Sequence, residues 1–322
     1  MLRKAQSGAI RYSMKAKDID VLVIGRACID HLYVVEHYPK EDAKIQLLER
    51  LVEGGGQGAT AACCVARLKG NVAYVGVVGD DKDGRFCLKR LHDFGVDTSH
   101  MKVIPGGHTP VAYVLVTAPS GRRTIVYEPG ALPVIEIDED ISSMIERAKV
   151  ILLGPQATHL AWPLKSFQNL PPVVYDCERY REGIEDMMAV ADYFIPHYGF
   201  LESGGVLLAG ASKQEKILSL KRMISGRLVV TDGEHGAYYI DEGSLIHIRV
   251  PVVQIRDTTG AGDNFHGAFS MAISRGFDMR DAVCFAVAVA SLSCRALGGR
   301  AGVPDYEEAL SAMRSLKAIH IR

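Results

Sequence analysis

Seven consecutive residues, Asp257-Thr-Thr-Gly-Ala-Gly-Asp263, combine a carboxylate with a run of backbone amides that can gather negative charge. Gly260, Ala261 and Gly262 let the main chain turn sharply, with N–H groups aimed at one point. The helix expected over 260–275 brings its positive end to the same point. Together they make an oxyanion or phosphate pocket. Asp263 falls in the first turn of that helix. A carboxylate there can take a proton from an attacking hydroxyl while the amides hold a transferring phosphoryl group. The simpler alternative is a plain turn in which Asp263 only complements the helix dipole; the seven-residue context favours the chemical reading.

Other patterns weaken on inspection. Gly54-x-Gly56-x-x-Ala59 fits a degenerate dinucleotide-binding loop, but a polar segment separates it from the first buried strand. No GxxxxGK[ST] occurs, so a P-loop kinase is unsupported. His266 lies three residues beyond Asp263, where a packing or supporting role is expected. The seven cysteines form no CxxC pair and lie mostly in apolar stretches, which suits buried free thiols rather than zinc or a disulfide framework.

The elements that must position this chemistry follow from hydrophobic patterning. The run 21–25 is a short apolar segment ending in Gly, a buried strand. Segments 31–35 and 44–48 read as strands around a polar turn. Helices are expected over 59–69 and 80–94, with a buried strand over 71–78 between them. Residues 111–117 and 123–128 form a hairpin through Pro119-Ser-Gly121. Then come helix 138–147, strands 149–153, 173–176, 192–195, 227–231 and 237–240, and helices 260–275, 278–296 and 305–316. The last but one, apolar almost all round, suits the core with an edge toward a nucleotide base. Alternating β and α units imply a doubly wound α/β fold, a mainly parallel sheet with helices on both faces. The early β-rich segments, about 31–52 and 111–128, break that rhythm and form a small β-sheet lid. The expected division is an N-terminal extension over 1–17, a main domain over 18–316 and a tail over 317–322. The basic extension reads as a loose arm, a start-site extension or a weak organellar leader.

A chain of 322 residues, 48% hydrophobic, has ample material for one large core. A net charge of −1 offers no field for nucleic acid or an anionic membrane, and no nucleic-acid-binding motif is present. No run of about 18 apolar residues marks a membrane span. A cytoplasmic location is expected.

The glycine-aspartate stretch is similar to the C-terminal signature of the ribokinase (PfkB) family of carbohydrate kinases. The N-terminal signature is similar too: Gly54-Gly-Gly-Gln-Gly-Ala-Thr60, then Tyr74-Val-Gly-Val-Val-Gly79-Asp80-Asp-Lys-Asp-Gly84. Asp30, Gly121-Arg-Arg-Thr, Pro129-Gly-Ala131 and Thr231-Asp-Gly233-Glu-His-Gly236 fall in the family's order. The resemblance covers about residues 20 to 310 and implies an ATP-dependent kinase of a small sugar or polyol. It makes Asp263 the base and the amides of Gly260, Ala261 and Gly262 the anion hole. Asp30 would bind sugar hydroxyls, with Gly55, Gly56, Gln57 and Thr60 around the sugar and Arg26 available to an anionic group. Thr231, Gly233 and Gly236 would flank ATP, which brings Mg²⁺. Asp257 and Thr259 match positions that help hold a monovalent cation, K⁺, in members that use one. A homodimer through the lid is also implied.

The sequence departs from the family pattern in places. Asn-x-x-Glu, which organises Mg²⁺ and phosphate, is replaced by Pro196-His197-Tyr-Gly-Phe200. The pocket lysine has become Gln57 and its asparagine Thr60, which weakens ribose as the substrate. Gly298-Gly-Arg-Ala-Gly302 departs from a late cation-ligand region. Together with the Gly-rich N-terminal motif, it looks like the sulfofructose-kinase branch. The arginine expected for a sulfonate is absent from Leu153-Gly-Pro-Gln156, which leaves Arg26 or Arg123 for such a group. Two rivals stand beside the sugar kinase. One is a nucleoside kinase, with Tyr33, Tyr113 and Tyr127 in the lid. The other is a sugar-binding regulator that has lost catalysis.

Overall fold

The computed structural model describes residues 17–203 and 210–321. Of the expected extension over 1–17, only Lys17 lies among them. The chain runs β1 (Ile19–Ile24), β2 (Cys28–Val35), β3 (Leu47–Gly55), α1 (Gln57–Arg67), β4 (Val72–Val75), β5 (Val77–Gly79) and α2 (Lys82–Asp93). It continues with β6 (Lys102–Ile104), β7 (Val111–Thr117), β8 (Arg123–Glu128), α3 (Glu139–Arg147), β9 (Ala148–Leu153), α4 (Ala161–Lys165), β10 (Val173–Cys177) and α5 (Ile184–Val190). Then come β11 (Tyr193–Pro196), α6 (Tyr198–Glu202), α7 (Lys213–Met223), β12 (Arg227–Thr231), β13 (Ala237–Asp241) and β14 (Ser244–Ile248). The last are α8 (Ala261–Ser274), α9 (Met279–Ser293), α10 (Tyr306–Arg314) and β15 (Ala318–Ile321).

The main sheet has the order β15-β14-β13-β12-β11-β10-β9-β1-β4. The six strands from β12 to β4 pair in parallel; β13, β14 and β15 extend it antiparallel. Val21 and Val23 point into a core shared with α1, α8 and α9, while Leu22 and Ile24 point into a second core with α3, α4 and α5. Burial on both faces explains why β1, β9 and β10 read as continuous apolar runs rather than alternating ones. This is the doubly wound α/β architecture expected from the sequence.

The lid is a four-stranded sheet, β3-β2-β7-β8, with β2 and β7 parallel at its centre. Residues directly opposite one another share a face. One face carries Leu32, Val34, Val114 and Val116, all buried against Leu51 and Leu297. The same face carries the row Glu53–Asp30–Ala112–Tyr127. The opposite face carries Val52, His31, Tyr113 and Val126 in one row across all four strands.

Three expectations need correction. The stretch 317–322 is not a free tail: residues 318–321 form edge strand β15, pairing with β14 through Ile246↔His320. The alternating Ala-Ile-His-Ile suits one half-buried strand. The strand expected over 71–78 is two strands, broken at Gly76; β5 leaves the main sheet to pair with β6. The strand expected over 44–48 starts at Leu47 and runs to Gly55, so the glycines of the N-terminal signature end a strand.

Candidate active site

The cleft lies at the C-terminal ends of the parallel strands, under the lid, where open α/β sheets place their ligands. Its catalytic end is built from backbone. Gly260 caps α8 in the left-handed region, φ 72°, and a Cβ there would sit 2.7 Å from the Cα of Gly299. Only glycine suits that turn. The amides of Gly262 and Asp263 belong to the first turn, beyond any preceding helical carbonyl. Ala261 N makes a long bond of 3.3 Å to Thr258 O. A Cβ built on Gly262 meets nothing within 4 Å, so the side of the turn it faces is open.

Asp263 sits half-buried beside them. Loss of hydration, with buried Asp176 nearby, pushes its carboxyl up to about 7; His266 and Arg123 oppose the shift. A carboxyl poised near neutrality is matched to taking a proton from an alcohol. Beneath it, His266 Nδ1 is 2.7 Å from Gly262 O, while Nε2 is 3.3 Å from Ile195 O and 3.6 Å from Asp176 Oδ1. Burial holds His266 below its usual range and raises Asp176 to about 8. A neutral ring has one N–H, which the nearer carbonyl of Gly262 takes. His266 thus fixes the Gly262–Asp263 peptide, the supporting role expected of it.

The end expected to take the sugar is built from side chains. Asp30, at the end of the lid row, accepts from Cys28 Sγ at 3.1 Å, and burial raises its carboxyl. A Cβ on Gly55 would lie 2.1 Å from Asp30 Oδ1, so glycine there makes room for the carboxylate itself. Gly56, the residue before α1, has φ 89° and backs against Arg26 O. Gln57 Oε1 accepts from Gln156 Nε2 at 3.1 Å. Thr60 is buried, its methyl toward Gly260 and Gly299, so it braces α1 against the catalytic loop. Arg26 is exposed and lines the cleft with Gln156, Pro129 and Gly130.

At the nucleotide end Thr231 finishes β12, and Gly233 and Gly236 turn the chain with φ 53° and 97°. Asp232, between Thr231 and Gly233, is held by Lys213, whose ammonium also lies 4.6 Å over the Tyr198 ring. His197, in place of the missing motif, accepts from Gly199 N at 3.0 Å and starts α6.

The lid tip closes on the catalytic loop. Arg123 Nη1 donates to Thr258 Oγ1 at 3.1 Å, Thr258 N and Oγ1 both donate to Gly121 O at 3.0 Å, and Arg122 pairs with Glu234 at 3.3 Å. Asp257 and Thr259 are adjacent but closed on themselves. Asp257 Oδ1 accepts from Thr259 N and Oγ1 at 2.8 and 2.7 Å, and Oδ2 accepts from Gly298 N at 2.8 Å. These bonds brace the loop. Among the described residues no group of three His, Cys, Asp or Glu is set to hold a metal.

Sequence reasoning missed four residues here. Asp176 is the penultimate residue of β10, Arg181 follows β10, and Gln156 follows β9. A polar residue at or just past the end of a parallel strand was the available signal. Arg300 is buried, donates to Gly55 O at 3.1 Å and leaves Nε and Nη1 without partners, behind the Gly54–Gly55 strand end. No periodicity marks it.

Comparison with known proteins identifies the family. The model of the pfkB family of carbohydrate kinases matches residues 18–305. The chain is 28% identical over 305 residues to a ribokinase of Lactococcus lactis, covering 92% of this chain and 98% of that protein. It is 25% identical over 303 residues to a deoxyribokinase of Salmonella typhi, covering 90% and 97%. The structure of Arabidopsis thaliana ribokinase complexed with ribose and ATP superposes with a TM-score of 0.75 at 25% identity, over 91% of this chain and 98% of that one. No described helix is long and apolar enough to cross a membrane.

Proposed function

The chain belongs to the pfkB family of carbohydrate kinases, and from that premise we propose that it phosphorylates one hydroxyl of a small sugar or sugar derivative with MgATP, Asp263 acting as general base. The observation that carries this reading is Asp263 beside the open first turn of α8. The hydroxyl gives its proton to Asp263 and attacks the γ-phosphorus in line, while the bond from that phosphorus to the bridging oxygen breaks and ADP leaves. The amides of Gly262 and Asp263, with those of Gly260 and Ala261 completing the turn, stabilise the charge on the transferring group. Mg²⁺ enters with the nucleotide and spreads the phosphate charge. Asp30, with the pocket shaped by Gly55, Gly56, Gln57 and Thr60, orients the sugar; Thr231, Gly233 and Gly236 flank the nucleotide. Arg123, tied to Thr258, brings a positive charge over the phosphoryl pocket from the lid. Closure of the lid excludes water and so limits ATP hydrolysis.

The lid register supports a sugar over a nucleoside. Tyr33 and Tyr113 face away from Asp30, which leaves Tyr127 as the only one of the three lid tyrosines on the cleft face. The outer row of Val52, His31, Tyr113 and Val126 supports a homodimer in which two lids pack face to face; Val52, Tyr113 and Val126 are exposed large apolar residues.

The test is ADP release from MgATP with a panel of sugars, sugar acids and nucleosides, in wild type and Asp263→Asn. Acceptor-dependent release that collapses in the variant, with nucleotide binding retained, is expected. Tight sugar binding without release would establish the regulator instead. A nucleoside as the preferred acceptor would overturn the sugar reading.

A further inference from the structure

Resting on the kinase reading above, we propose that the acceptor carries a negatively charged group, a carboxylate, sulfonate or phosphate, seated between the guanidinium groups of Arg26 and Arg181 over Gln156.

Strands β10, β9 and β1 are neighbours in the parallel sheet, and all three end at the cleft. Arg181, Gln156 and Arg26 lie just past those three strand ends. They therefore stand side by side along the rim, at the sugar end. The cleft face of the lid contributes Tyr127, whose hydroxyl accepts from Arg179 Nη2 at 3.5 Å.

The charges around this rim do not balance. Glu178 is the carboxylate shared by two of the arginines: its Oε2 lies 3.3 Å from Arg181 Nη2 and 3.9 Å from Arg179 Nε. Arg181 Nε is buried with no hydrogen-bond partner. Arg26 has no ion-pair partner among the described residues; partial burial, and after it the charge of nearby Arg181, lower its affinity for a proton. The floor is unsatisfied as well: Gln156 Oε1 is buried without a partner.

Two guanidinium groups that repel each other, one with a buried idle N–H, are unfavourable in the free protein. An anion between them removes the repulsion and satisfies the N–H. Planar forks of this kind match carboxylate, sulfonate and phosphate oxygens. A hydroxyl of the same ligand can donate to Gln156 Oε1. A neutral sugar would leave both charges and the buried N–H as they are. The catalytic end has its own anion pocket in the backbone of 260–263, so the γ-phosphoryl group does not need these arginines.

The experiment compares matched acceptors in the ADP-release assay: glucose with gluconate, fructose with 6-deoxy-6-sulfofructose, and fructose with fructose 6-phosphate. The three pairs distinguish carboxylate, sulfonate and phosphate. Each is repeated with Arg26→Gln and Arg181→Gln, the folding of both checked by thermal melting. The expected result is that the anionic member of at least one pair has the higher kcat/KM by roughly tenfold or more. Both variants should then raise its KM about tenfold or more with little change in kcat or in the KM for ATP, and Arg181→Lys should recover part of the loss. Neutral members that are equal or better overturn the proposal. So do variants that weaken neutral and anionic members alike. Titration of the same pairs without nucleotide keeps the two readings separate. Anion-selective binding lost in Arg26→Gln, with no ADP release, keeps the anion cradle and removes the kinase reading. No anion selectivity in either assay removes the cradle.

Discussion

The two ends of the cleft handle charge by different means. At the catalytic end the donors are main-chain amides in the first turn of α8, fixed by Gly260 and braced by Asp257, Thr259 and His266. At the sugar end they are long side chains, Arg26 and Arg181, standing on loops after separate strands. A backbone pocket loses no side-chain freedom when it binds and cannot be altered by one substitution without altering the turn. A side-chain rim can be retuned residue by residue. On the proposed reading, the backbone end carries the shared chemistry and the side-chain end the choice of acceptor.

The largest effect should come from the catalytic end. Asp263→Asn should lower kcat by roughly two or more orders of magnitude, read by ADP release, with nucleotide affinity near wild type. Its effect on stability should have the opposite sign. A carboxyl raised from 3.8 to about 7 binds its proton more tightly in the native state, so it removes stability as pH rises between those values. At pH 8 the variant should melt a few degrees higher than wild type. A lower melting point would mean that Asp263 is held by stabilising partners rather than against its own desolvation.

Gly55→Ala comes next. Its Cβ would fall on the Asp30 carboxylate, and the KM for the sugar should rise by about tenfold or more while the KM for ATP stays put. Equal loss on both substrates would place the damage in the fold, not at the sugar end.

The pH profile sharpens the comparison further. With the base near 7, kcat/KM should fall about tenfold per unit below that point and flatten above it. A profile that is level from pH 5 to 8 would remove Asp263 as the titrating base.

The smallest effect belongs to the lid tip. Arg122 and Glu234 form an exposed pair, and Arg122→Gln should change kcat/KM by no more than about threefold, with less effect at high salt. A loss like that of Asp263→Asn would show that the tip, not the helix, governs the phosphoryl pocket.

The same comparison explains what was legible in the sequence. The catalytic end could be read because its function lies in consecutive residues: two glycines, a helix start and a carboxylate within Asp257–Asp263. The sheet was legible from apolar runs such as 21–25, and the lid hairpin from Pro119-Ser-Gly121. The sugar end was not. Arg181 and Gln156 acquire meaning only when β1, β9 and β10 lie side by side, and strand order is not local information. Asp176 became visible only as a buried acid near His266. Arg300 gave no signal, because a buried arginine is defined by what surrounds it. The contact of the Thr60 methyl with Gly260 and Gly299 was not legible either: a helix rotates each residue by a fixed angle, and the motif alone does not say which face meets which loop.

The parallel seam of the lid has a consequence for how the molecule comes to exist. Ile29 pairs with Val111 and Val35 with Thr117, while α1, β4 and α2 intervene in the chain. Two hairpins can form by themselves, but the strands joining them meet only after the intervening segment has packed on the main sheet. Non-local pairing of this kind is slow to form. The lid is therefore expected to fold after the main sheet and not to stand alone as a module. In native-state hydrogen exchange, the amides along β2 and β7 should lose protection before those of β1 and β9, because the seam depends on a body that does not depend on it.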